Sequence, residues 1–164
     1  MKRAEVQASV IIYILTVFIA GTILLYGYTV VRGLVQTQEQ VQLLDFEKSL
    51  TDEINSMSFS FRDVKEEKFT VPSKYELVCF ANLDVSGTAS LVPQTYLLIK
   101  DSISDNVKRN VFLLSNGKMK YGFYVGTIGV NVKGMNDFGC VNATNGMLKL
   151  RLEALGRKVS VSEW

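Results

Sequence analysis

The chain has 164 residues, no histidine, two cysteines and a formal net charge of +2. With Lys2, Arg3 and Arg32 set against Glu5, the remainder is neutral, which gives no electrostatic case for nucleic acid. Without histidine, and with Cys79 and Cys140 as the only thiols, common zinc sites and histidine-dependent triads cannot be assembled within one chain. No catalytic, metal-binding or cofactor-binding residue is assigned, and an enzyme is not expected.

Residues 1–9 form a short basic leader and helix start, and residues 10–31 follow as an apolar run without one charged side chain. At about 1.5 Å of rise per residue this run reaches roughly 33 Å as a helix, against a hydrocarbon core about 30 Å thick, so it is expected to span the lipid bilayer. Lys2 and Arg3 precede it, Arg32 follows it, and Tyr26 and Tyr28 suit the headgroup level. The cation bias predicts a cytoplasmic N-terminus, with everything after Arg32 outside. Within the run, Thr16 and Ala20 make a small-xxx-small pair that would let helices approach closely.

No proline or strong turn cluster interrupts the next stretch, so an amphipathic helix is predicted to continue from the membrane over residues 32–60. Leu43, Phe46, Leu50, Ile54 and Met57 recur at steps of three and four, while Asp45, Glu47, Lys48, Asp52 and Glu53 take the other faces. Such a stripe must be buried, most simply against the chain's own head. Residues 61–164 are expected to form that extracytoplasmic head. Lys65-Glu66-Glu67-Lys68 reads as an exposed mixed-charge turn, and from Lys68 onward short runs of two-residue period point to antiparallel strands.

Tyr75 to Leu83 reads as a central, doubly covered strand with Tyr75, Leu77 and Cys79 on one face and Val78 and Phe80 on the other. Asp84 to Gln94 reads as a loop and Asp101 to Lys108 as a short helix. Asn116-Gly117 and Asn145-Gly146 each separate strand-like runs and suit type I′ turns. Two hairpins are therefore predicted, Asn110–Ser115 with Lys118–Val125 and Phe138–Thr144 with Met147–Ala154. In the last of these runs Leu148, Leu150 and Leu152 face one way and Lys149, Arg151 and Glu153 the other, and Val159 and Val161 repeat the alternation. The fold class is thus α+β, a long N-terminal helix packed on an antiparallel β-rich head with one dry sheet face.

The order of parts in MKRAEVQASVIIYIL resembles the class III signal peptides of archaeal type IV pilins and archaellins, in which a very short basic leader precedes the cleavage site and the apolar segment stays as the start of the mature helix. Arg3-Ala4 followed by Glu5 is similar to such a site, with cleavage after Ala4, and Gln7-Ala8-Ser9 resembles the Gln-x-Ser element of many archaeal members. The segments VPSKYELVCFANLD and GMLKLRLEALG also resemble uncharacterised archaeal single-pass membrane proteins. The pilin resemblance implies processing by a prepilin peptidase and self-association, or association with other pilin-like subunits, through the N-terminal helix. It implies a structural subunit of a type IV pilus-like or pseudopilus-like surface assembly; the alternative is an uncleaved single-pass protein whose head binds a partner or another cell. One departure is visible: cleavage after Ala4 puts Ser9 at the fifth mature position, where many pilins carry glutamate, and Ile11 where a glutamate often follows the archaeal serine.

Two cysteines in a head facing an oxidising space suggest a Cys79–Cys140 disulfide, closing a loop of about 60 residues and worth on the order of 4 kcal/mol if its effect is on chain entropy. The other readings are two separate buried small apolar residues, or free thiols in a reducing compartment. Asn142-Ala143-Thr144 is a glycosylation sequon beside a predicted turn, or else a pair of turn residues. Asp101 and Asp105 would share a helix face but lack a third ligand, so they read as a solvated helix start.

Overall fold

The computed structural model describes the backbone of residues 2–164 and the side chains of residues 10–32 and 38–164. It comprises two compact units, residues up to Val41 and Gln42–Trp164. Helix α1, Lys2–Ser58, supplies the first unit and the opening of the second. Neither proline of the chain, Pro72 or Pro93, falls within it, and it ends where the Ser60 N–H donates to the Met57 carbonyl at 2.9 Å.

The second unit is α+β and rich in antiparallel pairing. After α1 come β1 (Phe61–Thr70), β2 (Leu77–Ala81), α2 (Thr88–Leu91), a 3-10 turn (Gln94–Tyr96), α3 (Leu97–Ser104), β3 (Val111–Ser115), β4 (Lys118–Phe123), β5 (Ile128–Val132), β6 (Met135–Asn136), β7 (Phe138–Asn142), β8 (Met147–Leu155) and β9 (Val159–Glu163). One sheet has the order β1-β8-β9-β5-β6, the other β4-β3-β2-β7. Pairing is antiparallel throughout except between β5 and β9.

Strand β8 shows why the first sheet has one dry side. Leu148, Leu150, Leu152 and Ala154 are fully buried, and the residues between them are exposed. These side chains share a core with Val159 and Val161 of β9, with Val78 and Phe80 of β2, with Val111 and Leu113 of β3, and with Phe46, Leu50, Ile54 and Met57 of α1. The sheets approach each other at β5 and β7, where a side chain on Gly139 would meet the Val132 Cβ at 2.5 Å. Only glycine permits that approach.

On the opposite side the edge strands β1 and β4 flank α1. The Phe46 ring makes edge contacts with Phe69 of β1 and with Phe123 of β4, at centroid distances of 6.4 and 5.9 Å. Polar contacts rim the same seam, Lys65 of β1 with Glu53 at 2.8 Å and Tyr121 of β4 with Glu47 at 2.7 Å. Each buried apolar side chain of the α1 stripe contributes roughly 1.5–3 kcal/mol through burial. The helix therefore closes the mouth between the two sheets, rather than covering one sheet from outside.

Strand β2 is covered on both faces. Val78 and Phe80 enter the core shared with α1, whereas Cys79 and Ala81 pack with Phe112, Leu114, Ile99 and Ile103 beneath α3. Tyr75 departs from the expected alternation: it sits in a turn before the strand, its N–H donating to the Pro72 carbonyl, and lies in the same core as Val78 and Phe80. Cys79 and Cys140 are direct cross-strand partners in β2 and β7, joined by a disulfide over a sequence separation of 61.

Three further expectations are corrected. Lys65-Glu66-Glu67-Lys68 is no turn but the middle of β1, paired residue by residue with Leu152 to Lys149 of β8. The helix expected over Asp101–Lys108 occupies Leu97–Ser104, because Ile99 and Ile103 are the residues that reach the second core, and the loop before it contains α2. Asn116-Gly117 does close a hairpin, with φ of 52° and 70°, but Asn145-Gly146, with φ of 53° and 70°, closes only the Thr144–Met147 bridge. Beyond that turn β7 pairs with β2 and β8 pairs with β1 and β9, so the turn hands the chain from one sheet to the other.

Leu50→Ala is expected to destabilise this unit by about 2–5 kcal/mol. Leu44→Ala, on the same helix at a position 61% exposed, should change stability by about 0.5 kcal/mol or less. Urea unfolding of the full chain in detergent, followed by near-ultraviolet circular dichroism, measures both; equal losses would show that the stripe is not the core contact. Removing the disulfide by Cys79→Ala with Cys140→Ala is expected to cost about 2–5 kcal/mol in the same assay.

Candidate functional site

The chemistry of the first unit resides in Val10–Arg32, a stretch of 23 residues long and apolar enough to cross a membrane and buried nowhere in the structure. Its polar side chains are provided for locally. The hydroxyls of Thr16, Thr22 and Thr29 donate to the carbonyls of Tyr13, Ile19 and Tyr26 at 2.8–2.9 Å, so the helix can enter hydrocarbon without unpaired donors there. At its end the Arg32 guanidinium lies 4.5 Å from the centroid of the Tyr28 ring, an arrangement suited to a headgroup layer. Thr16 and Ala20 are both exposed, and a side chain on Gly21 or Gly27 would meet nothing within 4 Å. This surface is open to close approach by another helix. Arg3, Ala4, Glu5, Gln7 and Ser9 lie outside the residues whose side chains are described.

In the second unit Phe46, Leu50, Ile54 and Met57 are core residues at 0–3% exposure, available to a partner only if the head opens. Asn142 ends β7 and is exposed together with Thr144, so the sequon is accessible. The Ala143 N–H is held by the Glu76 carbonyl at 2.9 Å and the Thr144 N–H by the Met147 carbonyl, which makes the sequon part of the turn. Asp101 lies within α3 while Asp105 caps it, both exposed; among the described residues no group of three or more histidine, cysteine, aspartate or glutamate side chains could hold a metal.

Two polar contacts at the helix seam carry perturbed protonation. The Tyr121 hydroxyl donates to Glu47 Oε2, and this bond, followed by burial, raises the phenol pKa. Hydrogen bonds to Glu53 and then Glu67, at 2.8 and 3.1 Å, raise that of the Lys65 ammonium.

One assembly has no announcement in the sequence. Trp164, Lys68 and Lys149 come together on the outer face of the first sheet, beside a hollow of about 400 Å³. The alternation in β8 sends Lys149 outward, but only the β1–β8 register places Lys68 opposite it. A broader hollow of about 640 Å³ is lined by residues including Asp84, Ser86, Thr88 and Lys108.

No protein-family model matches the chain, and neither a curated protein nor a solved structure matches it.

Because both perturbed groups have folded pKa values above their unfolded ones, the stability they contribute is complete below about pH 10 and is lost as pH rises through the folded values. The urea midpoint of the full chain is expected to hold up to about pH 10, the ordinary range of phenol and ammonium titration, to fall as pH rises above it, and to fall less steeply in Tyr121→Phe. An unchanged slope in that variant would show that Tyr121 has no part in the loss.

Proposed function

We propose that this chain is a membrane-anchored structural subunit of a type IV pilus-like or pseudopilus-like assembly, held and packed through the N-terminal part of α1, with the disulfide-bonded head on the outer side. The observation that carries the reading is the division of labour within α1: Val10–Arg32 is apolar and entirely unburied, whereas Phe46, Leu50, Ile54 and Met57 are built into the head. An unburied apolar segment of that length requires lipid or other helices around it. The Cys79–Cys140 bond fits an oxidising compartment for the head. The resemblance of Arg3-Ala4-Glu5 and of Gln7 and Ser9 to a class III leader supplies the processing step, and the open Thr16–Ala20 face supplies a surface for packing helix on helix.

A second reading is an uncleaved single-pass protein with an adhesive or partner-binding head. Ser9 favours it, since the fifth position after a cut behind Ala4 offers no carboxylate to a neighbour's amino group. Intact-mass measurement on protein from its native membrane is expected to show loss of residues 1–4, and electron microscopy to show surface appendages that vanish when the gene is deleted. A full-length mass with unchanged surfaces would replace the first reading by the second.

A further inference from the structure

We infer that the hollow beside Trp164 binds an acidic saccharide, with the indole as stacking platform and Lys68 and Lys149 as the paired cations that select its charge. Such a site does not depend on whether the subunit forms a filament. Its two lysines are placed against the interest of folding. Lys68 of β1 and Lys149 of β8 are direct cross-strand partners on the solvent face, and like charges placed opposite one another destabilise a sheet.

The head neutralises cations elsewhere. Lys65 has Glu53 and Glu67, and Lys133 has Glu163 at 3.6 Å. Among the described residues, however, no carboxylate lies within ion-pair distance of Lys68 or Lys149. What they share is the Trp164 ring, whose centroid lies 5.3 Å from the Lys68 Nζ and 5.5 Å from the Lys149 Nζ. Of the neighbouring charged side chains, Glu66 and Arg151 are opposite in sign and paired in register, and Glu163 is engaged by Lys133. The two lysines therefore bring like charge together with no carboxylate side chain to offset it, and a bound anion would relieve it.

The neighbouring surface is concave and mixed in chemistry. The hollow of about 400 Å³ is lined by Asn142, Thr144, Asn145, Met147, Lys149 and Glu163 together with Trp164, a size within the roughly 300–1,000 Å³ of small-ligand sites. Trp164 is 48% exposed, and Asn142, Thr144 and Asn145 are exposed beside it. An indole suits the C–H face of a sugar ring, amides and a hydroxyl suit its hydroxyl groups, and ammonium groups suit a uronic carboxylate. A lipid headgroup layer would use the lysines and the indole but has no need of a concave row of amides.

The chain holds a single tryptophan, so its intrinsic emission reports this site alone. Unglycosylated full chain in neutral-lipid nanodiscs would be titrated with polygalacturonate, dextran and polyglutamate, and its emission compared with that of the same chain in anionic-lipid nanodiscs. The expected result is a saturable change in emission with polygalacturonate only. The affinity should fall several-fold in Lys68→Gln or Lys149→Gln and at least tenfold in the double variant, whose near-ultraviolet circular dichroism should stay that of the parent. No response to polygalacturonate, an equal response to dextran or to polyglutamate, an affinity unchanged in the folded double variant, or a response confined to anionic lipid would each overturn the inference.

Discussion

The head depends on one burial event, the seating of the α1 stripe Phe46, Leu50, Ile54 and Met57 in the mouth between two sheets. Those sheets come together where Gly139 faces Val132, and their far edges, β1 and β4, are held by the same helix through Phe69 and Phe123. Without the helix, the leucines of β8 and the aliphatic residues of β2 and β3 would face water along that opening. Removal of apolar area from solvent contributes most of the stabilisation, and the Glu47–Tyr121 and Glu53–Lys65 contacts act at its rim, where exposure and salt weaken polar and ionic pairs.

This arrangement gives α1 two surfaces with opposite requirements. The apolar segment 10–32 has no packing inside the molecule and threonine hydroxyls satisfied by their own helix, which suits hydrocarbon or a bundle of like helices. The part from Gln42 onward is fixed by the core. The first segment calls for apolar surroundings while the head carries its own core, and the disulfide at β2 and β7 secures a strand that contributes to both cores.

Much of this was legible where the signal was local and the burial strong. The three-and-four spacing from Leu43 to Met57, the doubly covered strand read over Tyr75–Leu83 and found over Leu77–Ala81, the Asn116-Gly117 hairpin and the alternation in β8 all announce themselves because each residue's side follows from its neighbours. The Lys65–Lys68 stretch hid a strand because β1 lies on an edge with little buried, so four successive charges erased the period. Asn145-Gly146 misled for a different reason: turn geometry is set by two residues, but which strands continue the pairing is decided across the core. The Lys68–Lys149–Trp164 cluster needed three distant segments in register, and no local pattern carries that.

The position of β9 has a bearing on biogenesis. This strand lies in the interior of its sheet between β8 and β5, and β1, made well before it, must wait for β8. The ribosome therefore releases the stripe of α1 long before the strands that cover it exist. Assembly of the head is deferred until β9 has been made, and the nascent chain would carry an uncovered apolar stripe through that interval.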